Sequence, residues 1–201
     1  MDPRMTSKRR RLDVRQVIEA AIAVVEAEGA AALGVNRVAR ALGIKPPSLY
    51  NHVANGDALV SLVVIEGNRR LLAAMRVVDT CNCAEDRLLA LAVATRAWAL
   101  DNAGLYTVMA QTPAANDHPD FIPLLQQMLA LFGDPLTAMS VAPSDVVHAI
   151  RALRAAVHGF VLLEISGQFG LPSDIEGSFE WLVRSMLRGM AEIVGLHAGQ
   201  R

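Results

Sequence analysis

The sequence predicts an all-α protein, with an N-terminal helix-turn-helix head, a larger helical body and about nine helices in all. Three observations carry this. Hydrophobic residues fill 53% of the 201 positions while aromatics fill only 4%, a balance that suits packed helices over sheets. Apolar residues recur at three- and four-residue spacing in one segment after another, and none alternates as a strand. Two short apolar segments flank Gly43, the pattern of two helices joined by a tight turn.

In chain order, residues 1–12 read as a flexible basic arm. Asp13 and Gln16 form a capping-box pair, and Gly29 fits the position that stops a helix, which predicts a first helix over 14–28. Two short helices follow, Val35–Leu42 and Pro46–His52, with Pro47 in a first turn where a missing N–H costs nothing. Asn55-Gly56-Asp57 is a turn and cap signal, and a long helix runs from about Asp57 to Val78. Asn82 and Glu85 cap a fifth helix over 84–101, and a sixth spans about 104–111. Residues 113–120 are a loop, and a seventh helix, 121–132, is expected to stop at Gly133. A second loop over 133–143 contains Pro135 and Pro143. The last two helices are long and apolar. One covers about 144–166, and the other starts at a Ser173/Glu176 capping box and runs to about 195. This order predicts three parts: the arm at 1–12, a head at 13–56 and a body at 57–201.

Charge is distributed unevenly. Residues 1–56 hold nine Lys/Arg against five acids, a net of +4, and the remainder nets −5. A basic head on an acidic body points to nucleic acid at one end. The two cysteines, Cys81 and Cys83, are too few for a zinc site and too close for an unstrained disulfide, so reduced thiols are expected. The basic start lacks a following apolar run with a cleavage site, and the apolar stretches read as amphipathic or too short to span a bilayer. The expected compartment is the cytoplasm, with no membrane partner.

Within residues 34–53, Val35, Val38, Ala39 and Leu42 face inward, Ala39 is small enough for a close helix approach, and Ile44 and Leu49 plug the corner. The second helix is thereby turned outward toward a major groove. Its residues suit DNA. Ser48 and Tyr50 offer hydroxyls to phosphates, and Asn51 and His52 offer donors and acceptors to phosphates or base edges. Asn36, Arg37, Lys45, Pro46 and Pro47 complete the candidate contact surface. Arg9, Arg10 and Arg11 in the arm are placed to track phosphates or enter a minor groove.

The run from Val38 to Val53, with its Leu42-Gly43-Ile44 turn and Leu49-Tyr50-Asn51-His52, followed by Gly56-Asp57-Ala58-Leu59, resembles the tetracycline-repressor (TetR) family of regulators. Val157-His158-Gly159-Phe160 with Leu163 and Glu164 resembles a subgroup with a Trp-His-Gly-like C-terminal motif, Val157 standing where that motif has Trp. The resemblance implies a three-helix DNA head, a fourth helix acting as a lever, and a body that binds a ligand and dimerises through its last two helices. This chain departs from the family at two positions. Gly34 replaces a capping Ser or Thr, and Gly56 replaces a phosphate-contacting Lys.

In the body, Trp98, Tyr106, Met109, Phe121, Met128, Phe132, Arg151, Arg154 and His158 are candidates to line a pocket for an unknown small-molecule effector. Arg151, Arg154 and His158 share one helix face by spacing. Val157, Val161, Phe179, Leu182, Met186 and Met190 are candidates for a homodimer seam. A two-fold dimer sets two recognition helices roughly 34 Å apart and requires a palindromic double-stranded operator. No nucleophile elbow, phosphate loop, His-Glu-x-x-His or dinucleotide fingerprint occurs, so no enzyme, metal or cofactor is expected. The expected function is a ligand-responsive dimeric repressor. The alternatives are a helical ligand-binding or scaffold protein that does not bind specific DNA, and an activator of the same family.

Overall fold

The computed structural model describes residues 12–78, 83–112, 118–172 and 174–198, with side chains as far as Ile193. The arm with Arg9, Arg10 and Arg11, the residues Cys81 and Asn82, and the Ser173 half of the anticipated capping box lie outside the described residues. Among those described there are nine α-helices and no strand. The chain forms two compact units that meet at Val63/Val64, seven residues beyond the anticipated boundary, so the first turns of the fourth helix belong to the head.

The head is built from three helices. Helix α1 (Val14–Glu28) opens with a complete capping box. The Asp13 carboxylate accepts from Gln16 N–H at 2.8 Å, and the Gln16 side chain accepts from Asp13 N–H at 3.1 Å. Gly29, at φ +86°, ends it with an N–H bond to Val25 C=O. A single 3₁₀ turn (Ala30–Ala32) leads to α2 (Val35–Ala41). Gly34 caps α2 without any side-chain bond, as a residue lacking a hydroxyl must. The turn after α2 is a Schellman motif: Ile44 N–H bonds Ala39 C=O, Gly43 N–H bonds Arg40 C=O, and Gly43 takes φ +66°. Helix α3 (Pro46–Leu49) starts with prolines at its first two positions. Val17, Ala21, Val25, Val38, Ala39 and Leu49 are all fully buried. Helix α4 (Gly56–Val78) begins on an Asn55 cap, whose side chain accepts from Ala58 N–H at 2.8 Å.

The body comprises the rest of α4 and α5 (Ala84–Asp101), α6 (Ala103–Gln111), α7 (Phe121–Ala138), α8 (Val146–Ile165) and α9 (Ile175–Ala198). Its core gathers Leu88, Tyr106, Leu136, Leu153, Val161 and Phe179, all at most 2% exposed. Helix α7 corrects the expectation of a stop at Gly133. It continues through Pro135 to Ala138, because Leu131, Pro135 and Leu136 are all buried and packing outweighs the lost N–H. Thr137 Oγ1 donates to Gly133 C=O at 2.9 Å and steadies that turn. Helix α8 also corrects an expectation, being long and apolar enough to cross a bilayer by length and composition alone. Its Leu153, Val157 and Val161 instead pack into the body's core.

One ion pair is set deep in the body. Arg96 on α5 reaches Glu164 on α8 through two parallel bonds, Nε–Oε2 at 2.7 Å and Nη2–Oε1 at 2.5 Å. The two side chains are only 15% and 13% exposed, and the guanidinium also lies 5.5 Å from the Phe179 ring centre.

Candidate nucleic-acid interface and ligand cavity

The turn chemistry at Gly43 and the buried Leu49 fix α3 with one side inward and the other in water. Lys45, Pro47, Ser48, Tyr50 and Asn51 are exposed, Tyr50 at 52%, while Pro46 and His52 are half-buried. Asn36 is exposed on α2. This is a continuous polar surface carrying one lysine, two hydroxyls and two side chains able both to donate and to accept.

Arg37 departs from the expectation of a free phosphate-binding cation. Its guanidinium forms a bidentate pair with Glu28 of α1, with Nε–Oε2 at 2.8 Å and a second bond from Nη2 to Oε1. That pairing holds the Glu28 carboxyl below its ordinary value and commits Arg37 to clamping α2 onto α1. Arg40, on the last turn of α2, is exposed and offers a cation in its place. The local charge count included Arg40, but the helical spacing gave no reason to single it out.

The body contains a cavity of about 200 Å³. Met109, Phe121, Met128, Phe132, Arg154 and His158 line it as expected from sequence. Three other expected residues do not. Tyr106 is fully buried behind His158, Trp98 packs edge-on against Tyr106 at 6.4 Å, and Arg151 is exposed to solvent away from the lining. The sequence reading missed the wall supplied by α4, formed by Val64, Asn68, Leu71 and Met75. Their spacing of four, three and four residues is a stripe on one helix face, and it was legible as such. Gly67 lies on the same stretch of helix. A Cβ there would fall 2.5 Å from the Met109 sulfur, so any larger residue would require the Met109 side chain to shift.

Most of the lining is apolar, its polar side chains being Asn68, Thr95, Thr112, Arg154 and His158, of which the last two touch each other. The Tyr106 hydroxyl and His158 Nδ1 are 2.8 Å apart, and their rings stack with centroids 5.1 Å apart. Arg154 Nε lies 3.3 Å from His158 Nε2. Burial, reinforced by Arg154, pushes the His158 pKa down to about 4, so the ring is neutral near pH 7. Burial likewise raises the Tyr106 hydroxyl above its ordinary value, so it keeps its proton.

The six seam candidates divide into two groups. Val157, Val161 and Phe179 are 6%, 0% and 1% exposed inside their own subunit and have no surface left to offer a partner, which removes them from the candidate seam. Val157 lines the cavity instead. Leu182, Met186 and Met190 are half-buried on α9, with Trp181 73% and Ile193 53% exposed beside them. Among the described residues, no group of three or more His, Cys, Asp or Glu is arranged to hold a metal ion.

Comparison with known proteins bears on the whole chain. The family model described as bacterial regulatory proteins, tetR family, matches residues 17–62, and that described as tetracyclin repressor-like, C-terminal domain, matches residues 88–186. The uncharacterized HTH-type transcriptional regulator Rv0681 of Mycobacterium tuberculosis is 28% identical over 180 residues, covering 90% of this chain and 82% of that one. A crystal structure of BioQ with its double-stranded DNA operator superposes with a TM-score of 0.69 at 23% identity, covering 90% of this chain and 99% of that one. A TetR variant from Acinetobacter baumannii in complex with minocycline superposes at 0.70 with 22% identity, covering 92% and 99%. The head's Schellman turn and outward-facing α3, with the two family models matched in order along one chain, make this protein a member of the TetR family of DNA-binding transcriptional regulators.

Proposed function

We propose that this regulator is a repressor that binds a palindromic operator as a homodimer in the cytoplasm and lets go when a small molecule enters the body. The observation that carries the DNA half is the exposed row Lys45, Pro47, Ser48, Tyr50 and Asn51 on a helix fixed by the Gly43 turn. The contact set is that row with Asn36, Pro46, His52 and Arg40, and the basic arm supplies further charge. The cavity supports the effector half, and so does the structural neighbour of the same fold that holds minocycline. The α9 face with Trp181, Leu182, Met186 and Met190 supports the dimer. The chain acts by binding and not by catalysis. An effector releases DNA provided it favours the state of the dimer that fits the operator less well.

The test is a gel-shift assay on DNA from upstream of the chain's own gene. Replacing Tyr50 and His52 with Ala together abolishes the shift and leaves the dimer intact in size-exclusion chromatography. A double variant with undiminished affinity overturns the assignment. Affinity must also fall steeply with salt, because phosphate contacts release counterions.

A further inference from the structure

We propose that the cavity takes a small organic anion, a monocarboxylate with an apolar body, whose head sits at the mouth against Arg154 and His158. This rests on the reading of the body as an effector domain and goes on to name the effector's chemistry. Three features of the cavity point the same way.

The first is a count of protons around His158. Tyr106 carries an O–H, neutral His158 one N–H, and Arg154 the N–H on Nε. The chain Tyr106–His158–Arg154 has only two links, at 2.8 and 3.3 Å, so three protons compete for two places. If Arg154 donates to Nε2, His158 must donate from Nδ1 to the Tyr106 oxygen, and the Tyr106 proton, fully buried, has no other acceptor among the described residues. If Tyr106 donates to Nδ1, that proton is satisfied, but His158 Nε2–H and Arg154 Nε–H then face each other at 3.3 Å, two donors with no acceptor between them. Neither arrangement pairs every proton within the protein, and in the second the missing acceptor belongs beside two residues of the cavity lining, where a ligand oxygen can supply it. The second feature is charge. Arg154 forms no ion pair with a carboxylate among the described residues, and while other surface arginines such as Arg40, Arg151 and Arg188 also lack one, Arg154 is the arginine in the cavity lining. Arg154 is therefore a cation at the rim of an apolar cavity with its counter-charge missing, and a carboxylate matches a guanidinium in two parallel bonds.

The third feature is size and polarity. Arg154 is exposed and His158 half-buried, so the polar end lies at the mouth, while Met109, Phe121, Leu125 and Phe132 form an apolar interior. A cavity of about 200 Å³ has room for a small organic molecule and not for water alone. Octanoate, a small acid with an apolar tail, is a suitable probe.

The test is calorimetric titration of the full chain with sodium octanoate, octan-1-ol and octylamine. Octanoate should bind at least tenfold more tightly than the alcohol, and the amine more weakly than either. Arg154→Met should bring octanoate down to the alcohol's affinity and leave the alcohol unchanged. Arg151→Met, on the same helix but off the lining, should change neither, and a thermal melt of each variant checks that it is folded. Absence of octanoate binding, an amine that binds as well as the acid, or a preference for the acid that survives Arg154→Met overturns the proposal. The same preparations are tried on the upstream DNA. Retained DNA binding without octanoate binding defeats the anion assignment alone, and loss of DNA binding by the unaltered chain defeats the repressor reading alone.

Discussion

Replacing Glu164 with Gln isolates the energetics of the body's most buried ion pair. The substitution keeps the side-chain shape and one acceptor oxygen, but it removes the charge and turns the other oxygen into a donor facing Arg96. Of the two bonds, at 2.7 and 2.5 Å, one is lost, and charge-assisted bonds contribute about 1.5–3 kcal/mol each. Removing one partner of a buried pair costs about 3–5 kcal/mol in general. Here Asp174 and Glu176 also bear electrostatically on Arg96, and the Phe179 face remains beneath it, so the cost falls below that range, about 2–3 kcal/mol. For a chain of this length that lowers the midpoint of a thermal melt by roughly 5–10 °C. The paired change Arg96→Met with Glu164→Leu removes both charges and fills the space with apolar groups, and it should recover at least half of the loss. Differential scanning calorimetry of the three proteins decides the matter. A Glu164→Gln midpoint within about 2 °C of the parent, or a double variant no better than the single, refutes the account of Arg96 as a buried charge that depends on its partner.

His158 makes stability depend on pH. Its folded pKa near 4 lies below the ordinary 6.5, so between those values the unfolded chain takes a proton that the native one refuses. Stability is therefore full above pH 6.5 and falls toward pH 4, and about 2 kcal/mol is lost between pH 7 and 5. The His158→Gln variant, followed by urea unfolding, should lack that component. Gly43→Ala places a Cβ at φ +66°, and should cost about 1 kcal/mol and weaken DNA binding by disturbing the Schellman turn. Met186→Glu sets a charge on the half-buried α9 face, and should convert a dimer to a monomer by light scattering without unfolding the body.

Legibility in the sequence differed between the two units for physical reasons. The head is held by local devices, the Asp13/Gln16 box, the glycines at 29 and 43 and the prolines of α3, and local devices show in residue order. The body is held by contacts far apart in sequence. Pro135 and Gly133 carry strong breaking signals, yet α7 continues because three of its neighbours are buried there. Val157 and Met186 both sit at helical spacing on an apolar face, but Val157 is buried in the subunit's own core while Met186 is only half-buried against it, and period alone cannot separate the two degrees of burial. Six of the nine proposed lining residues were found, because an apolar or aromatic side chain on a middle helix is a fair guide. The α4 wall was missed because the helix was read as a lever. The Arg37 pairing was not foreseen because its partner, Glu28, lies nine residues away across a turn.

The hydrogen at Gly67 has a consequence for how this protein can change. The Met109 sulfur occupies the space that any larger residue would need, so positions 67 and 109 are not independent. Enlarging the first alone drives the thioether into the cavity and shrinks the volume open to an effector. Shortening the second alone, as Met109→Ala, leaves a hole beside α4. Each change alone resizes the cavity wall, and a paired exchange, Gly67→Ala with Met109→Ala, trades thioether for methyl there, so the effector size this wall admits is set by the two positions together.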